Sequence, residues 1–119
     1  MGVLVAVSIP IFTSQLKKAR LATNQANARA AYAAVVADLL DQGKSAGKAT
    51  YTVATAALSD KGDAGTDLAI TTAPQNWAYA EEQGKTVIAG IGDKTATAWT
   101  VQIDATGKVT YAATGLTSN

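Results

Sequence analysis

The hydrophobic and polar residues of the chain follow two different periods, one in each half. Between Gly2 and Gly43 no glycine interrupts the chain, and alanine, leucine, glutamine, lysine and arginine dominate from Leu16 to Leu40. These residues are good helix formers, so the sequence predicts one long helix that ends at the glycine of position 43. At about 1.5 Å per residue the helix would be roughly 60 Å long, which is more than a small globule can cover. We therefore expect part of it to project.

The predicted helix carries two kinds of apolar surface. Residues 3–12 are apolar on all sides apart from Ser8 and Pro10, and such a segment belongs in protein or lipid rather than in water. It is shorter than the roughly 20 apolar residues that a membrane span needs. Beyond Phe12 the pattern is amphipathic, and one face is predicted to cover a core. That core-covering face comprises Leu21, Ala28, Tyr32, Val35, Val36 and Leu39.

Six alanines form a second stripe along the same helix: Ala19, Ala22, Ala26, Ala30, Ala33 and Ala37. Small side chains let another backbone come close, so this stripe is one candidate for a helix–helix contact surface. The alternative interpretation is that alanine is simply the best helix former, and the sequence leaves both open. The polar residues expected to point elsewhere are Arg20, Asn24, Asn27, Asp38 and Asp41.

The C-terminal half has a period of two. From Lys85 onward, segments 86–91, 97–104 and 108–115 alternate apolar and polar residues and are separated by short polar turns, which predicts an antiparallel meander over 85–115. One face of this predicted sheet carries Trp99, Val101, Ile103, Val109 and Tyr111.

The amphipathic helix face and this sheet face each need a cover, so they are predicted to pack together. The expected fold class is α+β, with a long N-terminal α-helix packed on a C-terminal antiparallel β-sheet. Residues 44–84 are assigned to a connecting loop, within which 50–84 are ambiguous and 51–58 fit a strand or a short helix.

The composition excludes many kinds of functional site. The chain has no His and no Cys, so it lacks an imidazole base, a thiol nucleophile, a zinc-finger type of site and a disulfide. We expect no enzymatic activity and no cofactor. Asp60, Asp63 and Asp67 are weak candidates for a calcium site, because calcium is held by loop oxygens. Their spacing matches no EF-hand, and a solvated loop is the favoured interpretation.

Charge is distributed unevenly along the chain. The net charge is +1, but Lys, Arg and Asp give residues 1–48 a charge of +4, whereas residues 49–119 carry −3. A nucleic-acid-binding domain would concentrate basic residues on a folded face. The pattern instead indicates a basic helical segment attached to an acidic module.

Residues 2–20, GVLVAVSIPIFTSQLKKAR, resemble the N-terminal helix of type IV pilins and the related pseudopilins. The likeness rests on Gly2, on the segment Ile9-Pro10-Ile11-Phe12, and on the polar residues 13–16 that follow. The resemblance implies a structural subunit that polymerises through this helix into an extracellular filament for adhesion, motility or aggregation. The implied assembly interface comprises Val3, Leu4, Val5, Val7, Ile9, Pro10, Ile11, Phe12 and Leu16. Pro10 is also expected to kink or loosen the helix around residues 6–10.

The chain departs from the family pattern in three ways. A leader peptide, a methylated aromatic residue and a glutamate are missing, which suggests an N-terminally truncated form with residues 1–16 as the projecting assembly segment and 17–119 as the head. The missing cysteine pair points to a Gram-positive pilin or a disulfide-free pseudopilin. Basic Lys17, Lys18 and Arg20 directly follow the apolar run, where they would meet lipid headgroups, acidic neighbours or solvent.

The resemblance also implies partners and a location. The main partner is the chain itself, and the full-length protein would meet the membrane and the pilus assembly machinery before it reaches the cell surface; the truncated chain itself is expected to be soluble. One alternative is a pseudopilin of a type II secretion or DNA-uptake machine. A second is a minor pilin that binds DNA, a glycan or a host surface.

Overall fold

The computed structural model describes residues 2–78, 84, 86–88 and 94–117, with side chains from residue 18 onward apart from those of 86 and 87. Helix α1 spans Gly2–Gln42. Its 41 residues correspond to a length of about 61 Å, and the longest dimension of the molecule is 61 Å. A compact chain of this length would have a radius of gyration of about 13.5 Å, whereas the observed value is 16.5 Å. The helix therefore sets the long axis of an elongated molecule, as the sequence predicts.

Helix α1 ends at the predicted glycine. Gly43 adopts a φ of 69°, in the left-handed region that favours glycine. Its N–H donates to the Leu40 carbonyl at 3.1 Å, and the Lys44 N–H donates to the Leu39 carbonyl at 2.8 Å. These two bonds form a Schellman motif, which satisfies carbonyls of the last turn. The helix continues past Pro10, so the loosening predicted there does not end it.

A four-stranded antiparallel sheet packs against the C-terminal part of α1. In the spatial order β2-β1-β5-β6, its strands are β2 (Ala57–Gly62), β1 (Gly47–Thr52), β5 (Thr95–Ile103) and β6 (Val109–Thr117). After a 3-10 turn at Pro74–Asn76, two short strands, β3 (Trp77–Ala78) and β4 (Thr86–Val87), pair in parallel as a second small sheet. The α+β fold class, with a long N-terminal helix packed on an antiparallel sheet, is confirmed.

The hairpin of β5 and β6 brings residues of the predicted sheet face together, with Val101 opposite Tyr111 and Ile103 opposite Val109. The rest of the sheet differs from the prediction. The neighbour of β5 on its other side is β1, which lies in the segment assigned to a connecting loop. Thr86–Val87 pairs with β3 instead of joining the meander, and residues 89–91 lie outside the described residues.

The physical reason for this difference lies in the composition of β1 and β2. Strand β1 reads GKATYT and its buried apolar side chain is only the small Ala49, while in β2 Leu58 is half-buried among exposed residues. A strand with so little apolar alternation leaves no clear period-two signal. Its pairing depends on the ladder with β5, which is a tertiary contact.

The core lies between α1 and the sheet and is centred on three aromatic residues. The rings of Trp77 and Trp99 stack with centroids 5.3 Å apart and planes 19° apart. Tyr111 meets the Trp77 ring edge-on, at 5.5 Å and 87°. Val35 and Val101 are also fully buried. Leu21, Ile103 and Val109 are partly buried against this cluster, as the sequence predicts.

Gly115 sits where β6 requires a residue without a side chain. Its φ is 61°, and a Cβ built there would lie 1.9 Å from Oγ1 of Thr97 on the neighbouring strand. We expect Gly115→Ala to lower the free energy of unfolding by about 1–3 kcal/mol, because it adds left-handed strain and displaces Thr97. Urea denaturation followed by circular dichroism measures the change.

Gly65→Ala provides the matched control for this prediction. No heavy atom lies within 4 Å of a Cβ at Gly65, and its φ is outside the left-handed region. We expect Gly65→Ala to be neutral or slightly stabilising, by up to about 1 kcal/mol. Equal losses of stability in both variants would contradict the role assigned to Gly115.

Candidate assembly interface

The inner face of α1 packs on the sheet through a narrow stripe of buried residues. It consists of Asn24, Ala28, Ala31, Val35 and Leu39, spaced three or four residues apart. The sequence predicted Ala28, Val35 and Leu39 but missed the other two. The prediction was wrong for Tyr32, which is 40% exposed. Because Ala31 rather than Tyr32 faces the sheet, the helix can approach the strands closely, and the tyrosine lies at the edge of the contact.

Asn24 fastens the helix to the beginning of β5. The side chain is fully buried, although the sequence prediction had it pointing away from the core. Its Nδ2 donates to the Lys94 carbonyl at 3.0 Å, and its Oδ1 accepts a bond of 3.0 Å from the Ala96 N–H. The neighbouring Gln25 donates from Nε2 to the Pro74 carbonyl at 2.7 Å. These bonds fix the position of the helix along the sheet.

The outer face of α1 lies on the opposite side of the helix from the buried stripe, as the 100° rotation per residue requires. All of its members are exposed: Ala19, Ala22, Ala26, Ala30, Ala33, Ala37 and Leu40. Leu40 is 73% exposed, a large fraction for a leucine in a helix that packs on a sheet. The alanine stripe identified from the sequence is therefore a solvent-facing surface of the protein rather than part of its core.

An open apolar groove of about 240 Å³ runs beside the outer face, where the end of the helix meets the sheet. Tyr32, Val36 and Leu40 line its helical side, while Ile103 and Val109 line the sheet side. Lys44 also lines the groove. The exposed Tyr32 and Leu40 therefore line the same groove. Together they form an apolar surface near the C-terminal end of the helix.

The residues assigned to the assembly interface, from Val3 to Leu16, lie in the N-terminal part of α1. Their backbone is helical, and predictions about their side chains lie outside the described residues. Within the described part of the chain, no helix is both long enough and apolar enough to cross a bilayer.

The acidic loop does not provide a calcium site. Asp60 lies in β2, and Asp63 and Asp67 are exposed. Oδ2 of Asp67 accepts a bond of 2.6 Å from Nζ of Lys108, which neutralises its charge locally. Within residues 2–78, 84, 86–88 and 94–117, no group of three acidic side chains is arranged to hold a metal ion. Asp60, Asp63 and Asp67 therefore do not form the calcium site that the sequence offered as a weak candidate.

A buried glutamine on β5, which the sequence prediction did not identify, holds this acidic loop against the sheet. Gln102 is 1% exposed, and its Nε2 donates to the carbonyls of Gly65 and Thr66 at 3.1 and 3.0 Å. Its Oε1 accepts from the Gly65 N–H at 3.2 Å. On β6, Oγ1 of Thr110 accepts from the Leu68 N–H at 3.1 Å. The loop therefore covers part of the sheet surface that faces away from α1.

The turn between β5 and β6 contains a carboxylate with a perturbed pKa. The Thr106 hydroxyl donates to Oδ1 of Asp104 at 2.6 Å, and the backbone N–H groups of Thr106 and Lys108 donate to the same oxygen. The hydroxyl bond, followed by the Lys108 N–H bond, holds the pKa of Asp104 below its ordinary value. The ionised form is therefore favoured in the folded turn.

A lowered pKa in the folded state means that Asp104 contributes stability above its ordinary pKa of about 3.9, and that this contribution is lost as the pH falls through the folded-state pKa. We expect Thr106→Ala to raise the pKa of Asp104, because the substitution removes the hydroxyl donor. An NMR titration of the carboxyl carbon measures it, with Thr114→Ala as an exposed control. An unchanged Asp104 pKa in Thr106→Ala would contradict the assignment.

Comparison of the chain with protein-family models, curated proteins and solved structures gives no match of any of the three kinds.

Proposed function

We propose that this chain is the structural subunit of a filament of the type IV pilus kind, which polymerises through α1 and displays the sheet on its outside. The proposal rests on one observation: α1 is much longer than the part of it that packs against the described core. The helix has 41 residues, whereas the helical side chains in the described core begin at Leu21. The part of α1 that precedes Leu21 therefore extends beyond the first described core contact, and it includes the most apolar stretch of the helix.

Burial of the apolar N-terminal segment would supply a free energy of the same order as the cost of association. Burial of a Val, Leu, Ile or Phe side chain contributes about 1.5–3 kcal/mol. The segment therefore supplies on the order of ten or more kcal/mol per subunit, against an association cost of about 4–15 kcal/mol. The large apolar residues concerned are Val3, Leu4, Val5, Val7, Ile9, Ile11 and Phe12.

The head has the properties that a filament coat needs. It is held by an aromatic core, by the polar contacts of Asn24 and by the loop bonds of Gln102, all without a disulfide. On this proposal the partners are further copies of the chain and, before assembly, the membrane and the pilus assembly machinery. The filament is placed at the cell surface, where it would serve adhesion, motility or aggregation.

Sedimentation velocity over a wide concentration range, with negative-stain electron microscopy, tests the proposal. We expect the parent chain to form large assemblies as concentration rises. A variant with Val5→Ser, Ile9→Ser and Phe12→Ser should stay monomeric with an unchanged unfolding transition of the head, because it loses apolar surface outside the described core.

The matched control carries three alanine-to-serine changes at exposed head positions: Ala54, Ala69 and Ala105. This control should assemble like the parent. A parent chain that is monomeric at every concentration, or a segment variant that assembles as well as the control, would overturn the proposed function.

A further inference from the structure

We propose that the open groove at the C-terminal end of α1 binds a single-chain anionic amphiphile. The alkyl chain lies between α1 and the β5–β6 hairpin, and the anionic head lies beside Lys44. The inference goes beyond the proposed function and does not depend on it, because the groove belongs to the head and has no part in the filament contacts proposed above. The ligand class follows from the apolar lining of the groove, its size and its charge.

The lining of the groove calls for an apolar ligand body. Among the residues whose side chains the structure describes, Tyr32 and Leu40 are the two large apolar residues that are exposed, and both line this groove. The half-buried Val36, Ile103 and Val109 complete the apolar surface between them. Single exposed apolar residues are normal on a protein surface, whereas exposed apolar residues that converge on one groove mark a site of interaction.

The size of the groove fits one alkyl chain of medium length. Its volume of about 240 Å³ lies just below the range of about 300–1,000 Å³ that is usual for small-molecule pockets. Tyr32 and Leu40 are eight residues apart, which is about 12 Å along the helix axis. At about 1.5 Å per carbon–carbon bond, a chain of at least about eight bonds is needed to span this distance. Decanoate, with a ten-carbon chain, is therefore a suitable probe.

The polar groups of the groove lie at the end of α1, where Lys44 and Ser45 follow the helix. Lys44 is exposed, and within the described part of the chain no carboxylate forms an ion pair with it. A cation beside an apolar groove orients an amphiphile by binding its anionic head.

The carboxylates near this end of the molecule leave the charge of Lys44 available. Asp38 is paired with Lys61 at 2.9 Å, and Oδ1 of Asp104 accepts three hydrogen bonds within its own turn. Asp41, in the last turn of α1, does not line the groove. An anionic head at Lys44 therefore competes with none of these three groups for a shared hydrogen bond.

An NMR titration of the methyl groups with decanoate tests the site. We use the full chain with the three serine substitutions in the N-terminal segment, because they reduce the other apolar surface that decanoate could bind. Decanoate, kept below its micelle concentration, should shift the methyl resonances of Val36, Leu40 and Val109 and saturate at one molecule per chain. Butyrate should bind at least about tenfold more weakly, because each buried methylene strengthens binding by up to about fourfold.

Leu40→Ser tests the apolar part of the site. We expect it to weaken decanoate binding at least about fivefold, because the chain loses a large apolar contact. Ala37→Ser is the matched control: position 37 is exposed on the same helix and does not line the groove. Its affinity for decanoate should equal that of the parent. Equal affinities of Leu40→Ser and Ala37→Ser would contradict the proposed site.

Charge reversal at Lys44 tests the polar part. At about 0.15 M salt, where the Debye length is about 8 Å, Lys44→Glu should weaken decanoate binding about threefold or more. The same variant should strengthen binding of decyltrimethylammonium, which has the same chain and a cationic head. Lys18→Glu makes the same change of net charge at an exposed position far along α1, and both affinities should stay within about twofold of the parent values.

Three results would overturn the inference. The first is the absence of saturable shifts at the groove methyls, including shifts that spread along α1 without saturation. The second is equal affinity of the parent for decanoate and decyltrimethylammonium. The third is a shift of the same methyls that grows with protein concentration and is not displaced by decanoate, which would identify a second copy as the occupant. None of these results bears on the proposed function, which sedimentation of the parent chain tests separately.

Discussion

Replacement of Trp99 by alanine is expected to lower the free energy of unfolding by about 3–5 kcal/mol. Trp99 is fully buried, stacks on Trp77 at 5.3 Å, and lies on the central strand β5. The substitution removes one of the two largest side chains in the core and also leaves Trp77 without its stacking partner. A loss of this size is a large part of the total stability of a small domain. Chemical denaturation followed by far-ultraviolet circular dichroism measures it.

Tyr32→Ala is the matched control for the aromatic core. Tyr32 is also aromatic and is 40% exposed, so we expect a loss below about 1 kcal/mol. Trp99→Phe supplies an intermediate variant that keeps a ring in the core and retains a measurable transition. If Tyr32→Ala destabilised the head as much as Trp99→Ala, the conclusion that Trp99 belongs to the core and Tyr32 lies at its edge would be wrong.

Replacement of Asn24 by alanine has the second largest expected effect, a loss of about 2–4 kcal/mol in the free energy of unfolding. The side chain forms two hydrogen bonds to the backbone, a buried one from the Ala96 N–H and a partly buried one to the Lys94 carbonyl. Their removal leaves the buried Ala96 N–H without this partner, at a cost of about 1–3 kcal/mol, and the partly buried Lys94 carbonyl loses its bond at a smaller cost. The favourable helix propensity of alanine offsets part of this loss.

Hydrogen exchange makes the Asn24 prediction specific. The Ala96 amide should exchange faster in Asn24→Ala than in the parent, by more than the global loss of stability explains, because its acceptor is gone. Asn27→Ala, on the same helix at a half-buried position, should change stability by less than about 0.5 kcal/mol. Equal stability of Asn24→Ala and the parent would show that the two bonds do not fasten the helix.

The sequence predicted those parts of the fold that depend on local periodicity. Helix α1 has a continuous run of helix formers and a capping glycine, and the β5–β6 hairpin alternates Trp99, Val101 and Ile103 with polar residues. Strand β1 was assigned to a connecting loop, in which only residues 51–58 were open to a strand or a short helix. Its sequence has little apolar alternation, and its position is set by pairing with β5, which lies far along the chain.

Buried polar residues were the other source of error. Asn24 was expected to point away from the core and Gln102 was not identified, yet both are fully buried and satisfy backbone groups distant in sequence. For Asn24 a signal was present, because it shares the three- and four-residue spacing of Ala28, Ala31 and Val35. Nothing in the sequence indicates which carbonyls Gln102 contacts.

The candidate interface was predicted in part. The alanine stripe was identified from its spacing, and the structure places it on the solvent-exposed side of α1. Sequence could not separate Tyr32 from Ala31, since both lie near the boundary of a broad apolar face, and the close approach of the helix to the sheet decides between them.

The strand order β2-β1-β5-β6 also has a consequence for how the chain folds. Each hairpin forms from contacts near in sequence, and so does α1, but the sheet is completed only when β1 meets β5, as in the pairing of Ala49 with Val101. This step must first overcome the entropy of closing a long loop, which slows folding. We therefore expect formation of the β1–β5 ladder to slow folding of the head, and on the ribosome β1 must wait for this partner until β5 has been synthesised.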